Sequence, residues 1–555
     1  MKNNVLICLT LLFVFACKPN NESEKKEKQE REKAPFVWEG ANLYFLLTDR
    51  FNNGDTRNDV NYNRTDETAK LRGFEGGDLK GITQKINEGY FTDLGVNAIW
   101  MSPIFEQIHE GTNEGTGKTY GFHGYWTKDW TNLDANFGTR EDLKTLVESA
   151  HKKGIRVVLD AVINHTGPAT DKDPVWPSDW VRVGPQCEYT NYENTIACTL
   201  VKNLPDIKTE SNETVNLPPE LIEKWKAEGR YEKEIAELDA FFKRTGYPKA
   251  PRFYIIKWLT DYISDFGIDG YRVDTVKHTE EYVWQEFKKE CDFAFSNWKT
   301  TNSNAVLDDN KFYLVGEVYN YGISSGKLFD FGDKKVNYFD NAFNQLINFE
   351  LKWNVKEKSK EEVFKRYSNI LNSDLKGYGI LNYLSSHDDG QPFDPKREKP
   401  YKTATMLLLT PGASQIYYGD ETARSLVVEG TVGDATLRSF MNWKALTENP
   451  EIQNILKHWQ KLGQFRKEHP AVGAGVHQMI SETPYVFYRS YIKGDYKDVI
   501  VSGLDLPKGE KQLDVSSVFK NGDILHDAYS YQDVEVKNGK VSLTSEFDIV
   551  LLEKK

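Results

Sequence analysis

Short apolar segments alternate with amphipathic segments along most of the chain. Eight of the apolar segments have the length of buried parallel strands, and a helical spacing of apolar positions follows most of them. Their positions are 42–51, 98–104, 156–165, 267–276, 312–318, 335–343, 379–389 and 414–421. This repeated alternation predicts an α/β fold of the (β/α)8 type, the TIM barrel.

The alternation is interrupted once and then ends. About a hundred residues rich in Pro, Asn and charged side chains separate the third and fourth predicted strands, which is too long for a simple connection. We therefore expect 166–250 to form an inserted lobe (domain B) between the two parts of the barrel, 37–165 and 251–468. Beyond residue 468, short alternating strands and a Lys-Asn-Gly-Lys turn predict a C-terminal antiparallel β-sandwich (domain C) over 469–555.

The first residues resemble a bacterial lipoprotein signal. Lys2 precedes an apolar run and then Cys17, which in such signals becomes the lipidated first residue of the mature chain. We expect a signal peptide over 1–16 and a charged, flexible tether over 17–36. The expected location is the cell envelope, with the lipid anchor on the periplasmic side or at the outer-membrane surface. Because Phe15 is bulkier than usual before such a Cys, a soluble periplasmic or secreted protein is the alternative.

Composition narrows the choice of partners. The formal net charge of −12 and the isoelectric point near 5.5 argue against a nucleic acid or an anionic membrane surface. Membrane association is expected only through the lipid anchor. Aromatic residues make up 13% of the chain, which suits both a large core and a sugar-binding cleft. A monomer is the default expectation.

The five cysteines divide into three groups. Cys8 and Cys17 belong to the predicted signal and its lipidation site. Cys187 and Cys198 lie close together in a loop-rich region, and an exported protein meets an oxidising compartment, so a disulfide between them is predicted. Cys291 is expected to be a buried thiol. The spacing of Cys and His residues does not match a zinc site.

Polar side chains cluster where four of the predicted strands end. The clusters lie at 160–165, 272–278, Glu317 and 387–389. In a (β/α)8 barrel the loops after the strands build the active site, so these groups should converge at one mouth. A single cluster could be a structural salt bridge, but four converging clusters favour catalysis.

The segments that carry these clusters resemble the signature regions of one family. They read DAVINH (160–165), GYRVDTVKH (270–278), GEV (316–318) and SSHDD (385–389). They are similar to the four signature regions of the α-amylase family, glycoside hydrolase family 13, and the resemblance extends over 38–555. Residues 224–278 further resemble the periplasmic α-amylase branch. The resemblance implies a retaining, endo-acting hydrolase of the α-1,4-glucosidic bonds of starch, glycogen or maltodextrins.

The resemblance assigns three catalytic carboxyl groups. Asp274 would be the nucleophile, Glu317 the acid/base, and Asp388 the third carboxylate that binds sugar hydroxyls. Retaining hydrolysis needs such a nucleophile and acid pair, and Glu317 must keep its proton near neutral pH, so we expect a raised pKa for Glu317. Arg272 precedes Asp274 by two residues, which puts both side chains on one face of a strand, where the guanidinium can keep Asp274 ionised.

Further residues would contact the substrate. The ring of Tyr125 would stack on the sugar that is cleaved, and His165 and His387 would bind hydroxyl groups of that sugar. Lys277 would contact the leaving group. The substrate-binding set that the resemblance implies is His123, Tyr125, Trp126, His165, Arg272, Lys277, His278, His387 and Arg438.

The resemblance also implies two calcium sites with oxygen ligands, which suit a hard cation. The first would join the lobe to the barrel through Asn164, Asp206 and the carbonyl group of His278. The second resembles the first-strand site of cyclodextrin glucanotransferase-like members. Its ligands would be Asn53, Asp55, Asn58, Asp59, Asp78 and the carbonyl group of Gly76. An ordinary turn is the alternative for this second segment, and Ser386 argues against the chloride site of some members.

Three alternative functions share the same barrel. A 4-α-glucanotransferase, or a transglycosylase like cyclodextrin glucanotransferase, would transfer the same covalent intermediate to a sugar hydroxyl instead of water. An α-1,6-specific enzyme is disfavoured because Thr275, Lys277 and His278 resemble α-1,4-acting members. A non-catalytic starch-binding barrel is disfavoured because all three carboxylates are retained.

Overall fold

The computed structural model describes residues 34–113 and 115–555. The predicted signal peptide 1–16, the lipidation site Cys17 and residues 18–33 of the predicted tether lie outside the described residues. The compact unit begins at Ala34, slightly before the expected start of the barrel, and Arg156 packs on the ring of Phe36 at 3.6 Å. Within the described ranges, no helix has the length and apolar character needed to cross a bilayer.

Eight parallel strands close into a barrel in which each strand pairs with its neighbours in sequence and the last pairs with the first. All their residues are buried, which explains their nearly continuous apolar sequences. The strands are β1 Asn42–Leu46, β2 Ala98–Met101, β3 Arg156–Ala161, β4 Gly270–Val273, β5 Tyr313–Gly316, β6 Gln345–Asn348, β7 Gly379–Asn382 and β8 Ala413–Tyr417. The predicted TIM barrel is confirmed.

Helices follow the strands, and their ends carry the expected capping residues. Thr139 and Asp142 form a reciprocal capping box at the start of the helix Arg140–Lys152, and Ser359 and Glu362 do the same for the helix Lys360–Asn372. The helices are α1 Leu79–Glu88, α2 Arg140–Lys152, α3 Pro251–Phe266, α4 Glu281–Thr301, α5 Tyr338–Asn341, α6 Lys360–Asn372, α7 Pro400–Leu409 and α8 Pro450–Glu468. A further helix, Leu351–Glu357, precedes α6.

The sixth strand is not where the sequence predicts it. Residues 335–343 form a two-residue strand, Lys335–Val336, and the helical turn α5, whose N-terminal N–H groups are capped by Asn337. The aromatic residues of this segment, Tyr338, Phe339 and Phe343, are buried, but they do not belong to a barrel strand. β6 begins with Gln345 and ends with Asn348, and these polar residues prevent a hydrophobicity pattern from revealing the strand. Inside the barrel these ends are satisfied, because Gln345 accepts from Tyr313 Oη at 2.8 Å and Asn348 donates to Asn382 at 2.8 Å.

Two insertions rise above the carboxyl ends of the strands. Between β2 and α2, the strands Phe105–Gln107 and Thr127–Leu133 form one antiparallel pair, and Thr112–Asn113 and Lys118–Thr119 form another. Between β3 and α3 lies the predicted lobe region, with the paired strands Val181–Arg182 and Asp206–Ile207. Its helices are Glu193–Ile196, Pro219–Ala227 and Tyr231–Thr245.

The C-terminal region forms two antiparallel sheets around a separate apolar cluster. The larger sheet has the order Val476–Ser481, Tyr485–Lys493, Tyr496–Leu504, Ile549–Lys554, Ile524–Asp527 and Gln532–Glu535, and the smaller pairs Gly509–Asp514 with Lys540–Ser545. Buried Arg489, on the strand Tyr485–Lys493, ties this region to the barrel, and buried Arg466 of α8 bonds to the same helix end. Arg466 donates to the carbonyl group of Leu408 at 2.8 Å and Arg489 donates to that of Leu409 at 2.6 Å, at the end of α7. Cations at a helix C-terminus satisfy carbonyl groups that lack intrahelical partners.

Candidate active site

One arginine lies at the centre of the barrel mouth. The side chain of Arg272, on β4, is 1% exposed and contacts carboxylates from three neighbouring strands. Its Nη1 donates to Asp274 Oδ1 at 2.7 Å and to Asp160 Oδ1 at 3.0 Å, and its Nη2 lies 3.0 Å from Glu317 Oε2. A planar guanidinium can hold several carboxylates in fixed directions, so Arg272 sets the relative positions of Asp274 and Glu317.

The backbone after Asp274 turns sharply toward Glu317. Thr275 has a φ of +50°, which is strained for a β-branched residue. In this conformation the N–H of Thr275 donates to Glu317 Oε2 at 2.9 Å, and the N–H of Val276 donates to the carbonyl group of Glu317 at 3.0 Å. The strained turn therefore ties the end of β4 to the end of β5.

Burial and neighbouring carboxylates favour the protonated form of Glu317. Removal from water raises the pKa of Glu317 well above its usual value, Asp274 and Asp388 raise it further, and Arg272 opposes them. Burial also raises the pKa of Asp388, to which Asp389 adds. The expected raised pKa of Glu317 is thus accounted for by the surroundings of its carboxyl group, which suit a general acid.

An aromatic wall stands beside these carboxylates. The rings of Tyr125 and His387 stack with centroids 5.2 Å apart, and Tyr125 Oη donates to Asp160 Oδ2 at 2.9 Å. The backbone N–H of Tyr125 donates to His123 Nδ1 at 3.1 Å. Burial, and then Arg438, lower the pKa of both His123 and His387, so both imidazoles are neutral.

The remaining residues of the expected substrate-binding set fall into two groups. Arg438 Nε donates to the carbonyl group of His387 at 2.9 Å, and the ring of His165 contacts the carbonyl oxygen of Tyr125 at 3.2 Å, so both lie at the same mouth. Trp126 is 6% exposed and packs in a small apolar cluster with Ile108. The indole of Trp126 also packs edge-on against the ring of His123, with centroids 4.8 Å apart.

Two residues that follow β4 face the other side of the mouth. The ammonium group of Lys277 lies 5.3 Å from the ring centre of Tyr319 and 5.7 Å from that of Tyr189. His278 is buried, and its Nδ1 lies 2.9 Å from the carbonyl oxygen of Thr195 in the inserted lobe region. Cys187 and Cys198 form a disulfide in this region.

Two contributors to the site had no role assigned from the sequence. Asp160 is fully buried, and burial raises its pKa to about 7 although Arg272 opposes this. A carboxylate inside an otherwise apolar strand was the available signal for Asp160. Lys352 pairs with Asp389 beside Asp388, and no motif identifies that lysine because it follows β6, which the hydrophobicity pattern does not reveal.

The lobe candidate for calcium contains unsatisfied polar atoms. Asn164 and Asp206 are joined by backbone pairing, with the N–H of Ile207 donating to the carbonyl group of Asn164 at 2.8 Å. Asp206 is 1% exposed and its Oδ1 has no hydrogen-bond partner, while Arg182 Nε lies 2.8 Å from its Oδ2. Burial raises the pKa of Asp206 well above its usual value. A buried carboxylate with one free oxygen fits a cation ligand.

The second calcium candidate is a cradle around Gly76. Gly76 has a φ of +91°, and a Cβ there would lie 2.5 Å from Asn53 Nδ2 and 2.7 Å from Asp59 Oδ1. Asn53 Oδ1 and Asn58 Oδ1 are buried without hydrogen-bond partners, so carbonyl oxygens are available inside the cradle. These atoms fit a hard cation.

The two other carboxylates predicted for this cradle have protein partners. Asp78 caps α1 and accepts the N–H of Gly81 at 2.6 Å. Asp55 pairs with both Arg57 and Lys80 at 2.7 Å, and hydrogen bonds from these cations lower its pKa. Asp55 is therefore the member of the predicted set whose charge is already neutralised.

Comparisons with known proteins agree with this geometry. The family model described as "Alpha amylase, catalytic domain" matches residues 45–444. The periplasmic alpha-amylase of Escherichia coli (strain K12) is 36% identical over 537 residues, covering 84% of this chain and 72% of that protein. A cyclomaltodextrin glucanotransferase of Geobacillus stearothermophilus is 28% identical and covers 81% of this chain, which spans only 58% of that protein.

Solved structures show the same fold. An Anoxybacillus alpha-amylase superposes with a TM-score of 0.64 at 24% identity, covering 94% of this chain and 99% of its own. A three-domain cyclomaltodextrin glucanotransferase gives a TM-score of 0.61 at 21% identity, covering 93% of this chain and 99% of its own. At these identities the similarity shows the fold, that is, the arrangement of the barrel and the C-terminal sheets.

A (β/α)8 barrel that gathers carboxyl groups from successive strand ends around one arginine, with these relatives, defines a glycoside hydrolase. The chain belongs to the α-amylase family, glycoside hydrolase family 13, as its four signature segments indicated.

Replacing Asp160 with Asn should lower kcat/KM on a maltooligosaccharide about tenfold to a hundredfold, because Arg272 and Tyr125 lose a shared charged anchor. Removal of the negative charge should also lower the pKa of Glu317, since Arg272 is then less neutralised. A general acid works below its pKa, so the alkaline limb of the pH profile should move to lower pH. The exposed Asp265→Asn is the matched control, and an unmoved limb in folded Asp160→Asn would contradict the assignment.

Proposed function

We propose that the protein is a retaining, endo-acting α-amylase that hydrolyses internal α-1,4-glucosidic bonds of starch, glycogen or maltodextrins and acts as a monomer. The observation that carries this proposal is the shared contact of Arg272 with Asp274 and Glu317, together with the burial that raises the pKa of Glu317 well above its usual value. We propose the domain division 37–165 and 251–468 for the barrel, 166–250 for the lobe and 469–555 for the C-terminal domain.

In the first step Glu317 donates its proton to the glycosidic oxygen. Its Oε2 is engaged by Arg272 and by the N–H of Thr275, which leaves Oε1 to carry the proton. Asp274 Oδ1 is held by Arg272, so Oδ2 forms the bond to the anomeric carbon as the bond to the leaving group breaks. The product of this step is a covalent glycosyl ester and a free sugar hydroxyl.

In the second step Glu317, now ionised, takes a proton from water, whose oxygen attacks the anomeric carbon and releases Asp274. Two inversions retain the α configuration. The ring stack of Tyr125 and His387 offers a platform for the sugar, and neutral His387 can donate to a hydroxyl group or accept from one. Asp388 would bind hydroxyl groups of the same sugar and stabilise the positive charge that develops on it.

A 4-α-glucanotransferase is the second candidate. The 28% identical cyclomaltodextrin glucanotransferase favours it, because both reactions pass through one type of covalent intermediate. The two functions differ only in whether water or a sugar hydroxyl takes the glycosyl group from Asp274.

Time-resolved proton NMR of the purified protein with maltoheptaose separates these candidates. A hydrolase should first release α-anomeric reducing ends and only shorter sugars, and Glu317→Gln should slow cleavage by roughly a hundredfold or more because the general acid is lost. Early products longer than the substrate would assign a glucanotransferase with the same residues. No cleavage by folded, calcium-loaded wild-type protein would contradict both.

We propose two calcium sites in the protein. The lobe site would use Asn164, Asp206 and the carbonyl group of His278, and its support is the free Oδ1 of buried Asp206. The second would use Asn53, Asn58, Asp59, Asp78 and the carbonyl group of Gly76, supported by the two buried amide oxygens without partners. Asp55 was also expected here, and it can join the ligands only by leaving Arg57 and Lys80. Bound calcium would hold the loops of the barrel mouth in place and neutralise the carboxylates there.

Exhaustive chelation should lower the melting temperature by about 5 °C or more, since a tightly bound ion stabilises only the folded state. Calcium should restore it. Asp206→Asn and Asp59→Asn should each reduce this calcium-dependent shift, whereas the exposed Asp265→Asn should leave it unchanged. Equal melting temperatures of wild-type protein with and without chelator would refute both sites.

We propose that the protein is anchored in the cell envelope by lipid on Cys17, for which the lipoprotein-like signal and the relative named as periplasmic give support. Mass spectrometry of the mature N-terminus should find acylated Cys17. Cys17→Ser should abolish acylation and move the protein from the membrane to the soluble fraction. A wild-type N-terminus that begins elsewhere without acylation would show instead a soluble exported protein.

A further inference from the structure

A disulfide-closed loop of the lobe lies against the residues that follow Asp274. We call residues 187–198, between the bonded Cys187 and Cys198, the disulfide loop. Its Thr195 carbonyl oxygen lies 2.9 Å from His278 Nδ1, and His278 is 5% exposed, so this contact is shielded from water. On its other side, Tyr192 Oη donates to Glu281 at the start of α4. The loop is therefore fixed to the end of β4 and to α4.

Tyr189 is presented by this loop toward the cleft. Its ring stands edge-on to His278 with centroids 5.6 Å apart and lies 5.7 Å from the ammonium group of Lys277. The side chain is nonetheless 51% exposed, and the backbone has a φ of +57°. A tyrosine in the left-handed region costs free energy, so the surrounding loop must impose the conformation.

Tyr319 faces the same ammonium group from β5. It follows Glu317 by two residues, is 48% exposed and lies 5.3 Å from Lys277 Nζ. The ring of Phe349 supports it at a centroid distance of 5.2 Å. Lys277 thus lies within reach of two half-exposed rings, one on the barrel and one on the disulfide loop.

Two exposed aromatic faces with a cation between them suit sugar rings, whose C–H faces stack on aromatics and whose hydroxyl groups accept from ammonium. Their place beside Lys277 is the side expected for the leaving group. We propose that the disulfide loop is a positioning element for the leaving-group sugars: the Cys187–Cys198 bond holds Tyr189 beside Lys277, where the sugars beyond the cleaved bond stack. This inference rests on the proposed hydrolysis of α-glucans.

Loss of the Cys187–Cys198 bond should allow Tyr189 to move away from Lys277. An open loop of this length samples many conformations, and the cost of ordering it then opposes the strained Tyr189 conformation and the contact of Thr195 with His278. Arg272, Asp274 and Glu317 do not touch the loop in the contacts described above. We therefore expect a change in the position at which the maltooligosaccharide binds, while the chemistry of bond cleavage is retained.

The position of cleavage reports this directly. A maltooligosaccharide binds in several registers, and weaker binding of the leaving-group sugars favours registers in which fewer of them are needed. Cleavage should then move toward the reducing end. With maltoheptaose labelled isotopically at its reducing-end glucose, mass spectrometry of the first products gives the ratio of cleavage at each bond.

Cys187→Ser/Cys198→Ser and Tyr189→Ala should each change this ratio about twofold to tenfold toward the reducing end, the range expected for one aromatic contact. The ratio does not depend on how much of the protein is folded, so a partly unfolded double variant still gives a valid result. Tyr531→Ala, which removes a 67% exposed tyrosine from the C-terminal region, is the control and should keep the wild-type ratio.

An unchanged ratio in either loop variant would overturn the proposal. This outcome differs from failure of the proposed function, because there the wild-type protein itself would release no shorter sugars from maltoheptaose or would form longer ones early. A fall in total activity with an unchanged ratio would also count against the loop, since that result indicates a role in stability alone.

Discussion

The barrel mouth depends on the burial of one positive charge. A guanidinium removed from water needs partners that compensate for its lost hydration, and deleting one carboxylate of a buried cluster leaves a charge uncompensated. Arg272 meets this requirement with groups from β3, β4 and β5 at once. The strained turn at Thr275 is tolerated in the same place, because it supplies hydrogen bonds that complete the surroundings of Glu317.

The same burial sorts the titratable groups into different roles. Glu317 has neighbouring carboxylates as well as low exposure, and both effects favour its neutral form. His387 is also buried but faces Arg438 and Arg272, which likewise favour its neutral form. Beside a neutral sugar, the proposed reaction needs a protonated carboxylic acid and a neutral imidazole. A single dry pocket with fixed cations supplies both.

The sequence predicted the parts of the fold that depend on local pattern. Seven of the eight strand segments overlap the observed strands, and the placement of Asp274 and Glu317 at neighbouring strand ends follows from that pattern. The pattern did not predict β6 because its end residues Gln345 and Asn348 are polar, and they bond to residues on other strands, which no local pattern contains. The role of Asp160 and the contact of Thr195 with His278 escaped for the same reason, since each joins residues far apart in sequence.

Closure of the barrel has a consequence for synthesis of the chain. β1 pairs with β8, and the side chain of Ser414 donates to Asn42 across 372 positions of sequence. At the usual 5–20 residues per second, a ribosome needs roughly 20–75 s to cover that distance. Until β8 has been made, β1 can have a strand partner on one side at most, and an unpaired edge of apolar residues invites association with other chains. Each new molecule must be kept apart from its neighbours until its eighth strand has been made.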